Sequence, residues 1–296
     1  MSSLLNTKIS NLIKERNNIN YYLPNLSKDW IIGFIESEGG FYGSGRHIVF
    51  SVSQHLSDWY LLLAIKEFLG AGKVVPQLRK DGRLSAELII NNKETLKNVI
   101  VPLISNQLRT SKKLEQFNIW IKEHFDLPLT VINPTVTANW LTGFVDGDGS
   151  FFIKISKSSS HKCGYNVRAA FDITQVSSEK VLLSTIGNSF FGGVYNLSCN
   201  SLATHMVFTN YLVHREFVEP FFIINRLLSR KYFDFIIWQK VLNLIGNKKH
   251  LNSAGVDSIR ELRELQHLHR KLIHPSIINQ IKTLRPDWGS KLDLLT

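Results

Sequence analysis

A chain of 296 residues can hold one large or two medium domains, and 44% hydrophobic residues with 11% aromatics are ample for a core. Thirty-five Lys and Arg against 24 Asp and Glu leave a net charge of +11 and a pI of about 9.6, which points to a polyanionic partner. No apolar run approaches the ~18 residues of a membrane span, and Cys163 and Cys199 lack CxxC or zinc-site spacing, so a reducing compartment without a structural metal is expected.

Residues 1–26 are rich in Asn, Ile and Lys, carry Glu15 and little arginine, and make a poor transit peptide. They read as a partly ordered N-terminal extension. The first strong element follows: Trp30-Ile-Ile-Gly-Phe-Ile-Glu-Ser-Glu-Gly-Gly-Phe41, an apolar helix ending in two carboxylates and then glycine. A hairpin (Gly40–Gln54), an amphipathic helix (Asp58–Leu69), and a second hairpin turning at Lys80-Asp-Gly-Arg83 come next. A helix near Lys93–Leu103 and a lysine-bearing helix, Ser111–His124, complete the first unit, residues 27–125. Pro128 and Pro134 mark 126–137 as a linker.

The same order then repeats over residues 138–246. Trp140-Leu-Thr-Gly-Phe-Val-Asp-Gly-Asp-Gly-Ser-Phe151 spells the helix again, placing Glu38 and Asp148 110 residues apart. A hairpin (Ser150–Gln175), a helix (Ser178–Phe190), a second hairpin and helices near Tyr211–Phe222 and Ser229–Ile245 follow. Phe50-Ser-Val-Ser-Gln54 matches Phe171-Asp-Ile-Thr-Gln175 at an offset of 121, so about eleven extra residues fall in the second copy, within the hairpin around Ser156–Gly164. Pro102, Lys113, Phe117 and Trp120 match Pro220, Lys231, Phe235 and Trp238 at one offset of 118. Each copy therefore reads as α-β-β-α-β-β-α in an α+β fold with two pseudo-symmetric, antiparallel four-stranded sheets. Residues 247–296 form a helical extension, with a helix of about Ser253–Ile273 whose Ile259, Leu262, Leu265 and Leu268 share a face. His267 and His269 are expected on its surface.

Gly33 and Gly143 lie inside helices, where glycine costs roughly 1 kcal/mol relative to alanine. Close backbone approach of the two helices explains them, with leucine expected to separate the pair and alanine to be mild. Gly39 and Gly149 fit a left-handed position that stops each helix. Glu38 and Asp148 then meet at two negative helix ends, an arrangement that requires a cation. A hard divalent ion such as Mg²⁺, which takes oxygen ligands from few protein groups, matches. Glu36 and Asp146, two residues earlier, are expected to brace the junction.

Strand alternation puts Phe152, Lys154 and Ser156 on one face of the second sheet, together with Asn166, Arg168, Ala170, Asp172 and Thr174. Arg46, Gln77, Arg79 and Arg83 are the candidates for the open face of the first. A two-stranded ribbon with such side chains suits the major groove of double-stranded DNA.

The segments Ile31-Ile-Gly-Phe-Ile-Glu-Ser-Glu-Gly39 and Leu141-Thr-Gly-Phe-Val-Asp-Gly-Asp-Gly149 resemble the motif of the LAGLIDADG homing endonucleases. The second is a close match; the first departs at Ile32, usually a small residue at the helix interface, and at Glu36-Ser37. The resemblance implies paired sheets forming a saddle over a long, asymmetric DNA target, with a two-repeat chain acting as a monomer. It implies a double-strand break across the minor groove with short 3′ overhangs, with Mg²⁺ for cleavage and Ca²⁺ supporting binding alone. Lys113 and Lys231 resemble the family's basic residue at the edge of each active site, with Lys112 and Arg230 as neighbours if the helix phase differs by one. Gln54 and Gln175 match its polar pocket residue. The association further implies encoding within a mobile intron of a mitochondrion or chloroplast. The alternative functions are an RNA-splicing maturase that stabilises host intron RNA on the same fold, and a catalytically inactive DNA-binding derivative.

Overall fold

The computed structural model describes residues 25–288 and Leu292. The N-terminal extension read from the sequence, up to residue 24, lies outside the described residues. The first repeat runs α1 (Lys28–Glu38), β1 (Gly39–Ser44), β2 (His47–His55), α2 (Trp59–Leu69), β3 (Lys73–Leu78) and β4 (Leu84–Ile90). It closes with α3 (Lys93–Thr95 and Val101–Ile104, joined through Leu96–Ile100) and α4 (Ser111–Phe125). The second repeats this order as α5 (Ala138–Asp148), β5 (Gly149–Lys157), β6 (Tyr165–Val176), α6 (Lys180–Phe190), β7 (Asn196–Cys199) and β8 (Ala203–Phe208). Its last elements are α7 (Tyr211–Val213 and Glu219–Ile224, joined through His214–Val218) and α8 (Lys231–Gly246). The sheets are antiparallel with matching orders, β1-β2-β4-β3 and β5-β6-β8-β7. The extra residues of the second copy lengthen β5 and β6 and fill the loop between them, as expected.

Helices cover one face of each sheet. Phe41 on β1 meets Phe50 on β2, then Phe117 and Trp120 of α4 at ring separations of 5.2 and 5.4 Å. Phe151 meets Phe171, Phe235 and Trp238 in the same way, at 4.8, 5.3 and 5.4 Å. These clusters matter for the site. Phe41 and Phe151 each follow a motif acid by three residues, and the rings they hold lie one and two turns beyond Lys113 and Lys231. Aromatic packing thus sets the lysine helices against the motif helices.

Four features differ from the sequence reading. Gly39 and Gly149 are extended (φ −81° and −77°), so each motif helix passes straight into a strand without a left-handed stop. Their need for glycine is steric: a Cβ at Gly39 would lie 2.6 Å from the Ile35 carbonyl oxygen, and one at Gly149 2.5 Å from a Val145 methyl. The helices near Pro102 and Pro220 are interrupted by a wide turn just before each proline, because proline lacks the N–H and its ring crowds the carbonyl four residues back. The C-terminal helix α9 (Ser253–His269) ends before Ile273, and a further helix, α10 (Pro275–Leu284), follows. Finally, His269 is buried, stacked on Phe233 at 3.9 Å, because α9 lies against α8; His267 is exposed as expected.

Candidate active site and nucleic-acid interface

The two motif helices α1 and α5 make the most extensive inter-element contact in the described structure. A Cβ on Gly33 would run into the Trp140 carbonyl oxygen and lie 2.8 Å from the Phe144 nitrogen; one on Gly143 would meet Trp30 in the same manner. The glycines do permit backbone contact. Alanine is another matter: its methyl collides with backbone that cannot yield, so the expectation of a mild effect is corrected. Ile32 is fully buried and does not prevent the approach. At Gly147 an added Cβ would overlap Ser37, whose hydroxyl donates to the Phe34 carbonyl at 3.0 Å.

The inner acids brace the junction. Glu36 accepts from the backbone N–H groups of Arg109 (2.9 Å) and Thr110 (2.6 Å), from the Thr110 hydroxyl (2.7 Å), and from the Trp140 indole (2.7 Å). Asp146 accepts from the N–H groups of Leu228 and Ser229, both at 2.9 Å, and from the Trp30 indole at 3.0 Å. Each buried carboxylate thus ties its own motif helix to the approach of its own lysine helix and to a tryptophan of the other repeat. Burial raises both carboxyls, Asp146 to about 6.

The outer acids face each other's repeat. Burial pushes the Glu38 carboxyl up to about 7; Lys231 opposes the rise and the Asp148 charge adds to it. Asp148 is raised by burial and held back by Lys231, then by the Gln175 hydrogen bond and Lys113. Gln54 donates to Glu38 at 3.1 Å, and Gln175 donates to Asp148 at 2.5 Å. Lys113 donates to the Gly39 carbonyl; Lys231 donates to the carbonyls of Val145 (3.1 Å) and Gly147. The ammonium groups therefore sit where the motif helices end and their dipoles are negative. Burial lowers the pKa of both lysines, against the pull of the acids, with Asp148 the foremost carboxylate acting on Lys113 and Glu38 the foremost on Lys231. One cavity of about 610 Å³ is lined by Lys113, Asp148 and Gln175 together.

Lys113 and Lys231 are the basic residues whose ammonium groups reach the motif-helix ends. Arg230 turns away: its backbone N–H donates to Asp58 at 2.7 Å and its guanidinium to the Arg270 carbonyl at 2.9 Å. Lys112 is exposed at the rim of the same cavity as Lys113.

Among the described residues no group of three or more His, Cys, Asp or Glu is placed to hold a metal ion. Two partly buried carboxylates at abutting helix ends are what the chain offers. That donor set fits an ion like Mg²⁺, which keeps several waters and binds through one or two carboxylates plus substrate phosphates. No helix among the described residues is long and apolar enough to cross a membrane.

On the open face of the second sheet, Lys154 lies directly opposite Arg168 and Ser156 opposite Asn166. Like charges opposed across strands repel, so an anion beside this surface is favoured. In the first repeat Arg46 is exposed at the β1–β2 turn. Gln77, on β3, donates to Glu87, and the Arg79 guanidinium to the Ser85 hydroxyl at 3.2 Å. Arg83 pairs with Asp81 in an exposed turn at 2.6 Å, so its charge is partly answered.

Two acids escaped the sequence reading. Asp58 opens the helix read at Asp58–Leu69 and Glu179 is the second residue of that read at Ser178–Phe190; both are almost wholly buried and bond to the other repeat's lysine helix. Their signal was present, since each follows its pocket glutamine by four residues.

Residues 31–124 and 141–242 match the sequence profile of the LAGLIDADG endonucleases, and the chain belongs to that family. A 37.2 kDa protein of cox1 intron 2 in Schizosaccharomyces pombe, itself uncharacterised, is 29% identical over 83% of this chain and 73% of its own length. Two probable intron-encoded endonucleases of Neurospora crassa are each 27% identical, over 55% and 75% of this chain, and the match spans only 36% and 41% of their lengths. Among solved structures, the LAGLIDADG homing endonuclease I-SmaMI bound to cleaved DNA superposes with a TM-score of 0.67 at 25% identity, covering 81% of this chain and 96% of that one. I-SmaMI has also been solved on an uncleaved DNA target in the presence of calcium ions, with a TM-score of 0.66.

Proposed function

We propose that this chain is a monomeric, site-specific homing endonuclease that makes a metal-dependent double-strand break in a long, non-palindromic DNA target. The observation that carries the reading is the pairing of Glu38 and Asp148 at abutting helix ends, each bonded by its glutamine, with Lys113 and Lys231 held at the same two ends. The repeats are similar and unequal, which suits two antiparallel strands carrying different sequences.

Divalent ions held by Glu38 and Asp148, with Mg²⁺ the proposed species, would supply an activated water and neutralise charge on phosphorus and the leaving oxygen. The chain's own groups do the rest. Gln54 and Gln175 fix the orientation of the two carboxylates by donating to them. Lys113 and Lys231 hold positive charge against the developing charge of the phosphoryl group. The sheets read the duplex through Arg46, Gln77, Arg79 and Arg83 of the first repeat and Lys154, Ser156, Asn166 and Arg168 of the second. The cox1 and ND4 intron origins of relatives favour encoding within a mitochondrial intron.

The test is incubation with duplex DNA carrying the uninterrupted insertion site and Mg²⁺. The protein should cut both strands, while Glu38→Gln or Asp148→Asn should abolish the double-strand break and keep DNA binding, including with Ca²⁺. Full cleavage by either variant would remove the two acids from the mechanism. A protein that binds its host intron RNA and leaves the duplex whole would be a maturase.

A further inference from the structure

We infer that Asp58 and Glu179 are positioning residues that hold the catalytic lysine helix of the opposite repeat, so that each governs cleavage of one DNA strand. The inference rests on the nuclease reading above and extends it to residues outside the motif.

Asp58 precedes α2 and Glu179 precedes α6, each where a side chain ordinarily caps its own helix. Neither does so. Asp58 accepts from the backbone N–H of Arg230 at 2.7 Å, at the start of α8, and its other oxygen lies 3.8 Å from the Arg230 guanidinium. Glu179 accepts from the backbone N–H of Lys112 at 3.1 Å, in the first turn of α4, and from the Ser111 hydroxyl. The residues preceding α4 and α8, Thr110 and Arg230, provide no side-chain cap of their own. Negative groups at helix N-termini satisfy free N–H groups and favour the helix dipole. Here the caps arrive from the other repeat, and the next residue after each capped N–H is Lys113 or Lys231.

The capping has a consistent sense. Asp58 of the first repeat caps the helix of Lys231, and Glu179 of the second caps the helix of Lys113, which shares a cavity with Asp148 and Gln175 of the second repeat. Each lysine helix is thus held at its start by the repeat opposite to its own. Asp58 has an arginine ion pair in addition to the N–H bond, whereas Glu179 has a serine hydroxyl, so the two supports are chemically unequal.

A duplex labelled at either 5′ end reports each strand separately, with melting temperature and binding in Ca²⁺ as controls. Asp58→Ala should slow one strand by about tenfold and Glu179→Ala the other, since a small misplacement of a catalytic group carries penalties of this order and above. Nicked intermediates of opposite polarity should accumulate. Asp58→Asn and Glu179→Gln, which keep an acceptor and lose the charge, should show smaller skews in the same two senses, and they decide the matter if the alanine proteins do not fold. Equal slowing of both strands, skews toward the same strand, or no skew would overturn the inference and leave the nuclease reading intact. A wild-type protein that cuts neither strand would overturn both.

Discussion

The indole N–H of Trp30 donates to the carboxylate of Asp146 at 3.0 Å, across the interface between the two repeats. Trp140 returns the contact to Glu36 at 2.7 Å. Both carboxylates are buried, and both also collect backbone donors from the segment that leads into a lysine helix. Trp30→Phe or Trp140→Phe keeps the ring and deletes the donor. Each is expected to lower stability by about 1.5–3 kcal/mol, the range for hydrogen bonds to charged groups. Urea unfolding reads this directly, and an unchanged midpoint would mean the backbone donors suffice.

Gly33→Ala and Gly143→Ala should each be severely destabilising. The gain of roughly 1 kcal/mol in helix propensity is small against a methyl driven into the facing backbone, and we expect a net loss of about 3 kcal/mol or more. Gly143→Leu should be worse and should damage cleavage as well. A fall in melting temperature for alanine checks the contact; a rise would mean the helices stand apart.

His214 offers an acid-sensitivity test remote from the carboxylates. Its Nε2 meets the Ala169 carbonyl at 3.1 Å, its Nδ1 is buried with no hydrogen-bond partner among the described residues, and its ring meets Trp238 edge to face. Burial pushes its pKa down to about 4 from 6.5. The unfolded chain therefore binds a proton that the folded chain refuses. The neutral-histidine contribution is complete above pH 6.5 and is lost as pH falls toward 4, amounting to about 3 kcal/mol over that window. Comparing wild type with His214→Gln across pH 4–7 should show a shallower acid loss in the variant; parallel curves would refute this.

On the open face of the second sheet, Arg168→Gln should relieve repulsion with Lys154 and leave stability equal or higher by about 0.2–1 kcal/mol. DNA binding should weaken. If Arg168 meets a phosphate, the slope of log affinity against log salt should fall by about one, whereas an unchanged slope with altered sequence preference would make it a base contact.

Lys113→Met and Lys231→Met should each slow cleavage, by about 10²-fold if each stabilises transition-state charge, with little change in binding. Single-turnover rates at saturating protein separate the two effects. Wild-type rates in both variants would leave the lysines as mere ties to the Gly39 and Gly147 carbonyls.

Much of this arrangement was legible because it is written twice. A glycine kept inside two helices implied contact between them, and a single offset linking Lys113, Phe117 and Trp120 to Lys231, Phe235 and Trp238 identified the lysine helices in register. What stayed hidden depends on partners distant in the chain. Asp58 sits where a local cap belongs, and only the tertiary fold reveals that its carboxylate serves Arg230. The glycines after the motif acids looked like helix stops because a short side chain is compatible with either backbone freedom or lack of room. Alanine's effect was misjudged for the same reason: propensity is local, whereas the obstructing carbonyl belongs to another helix.

The serine and glycine that meet at Ser37 and Gly147 give the helix pair a handedness of choice. These positions correspond in the two repeats, yet only one carries a side chain, and it occupies the room that a second would need. A single hydroxymethyl group thus makes the contact between the two halves asymmetric, since the side chain of one fills the space the other leaves empty.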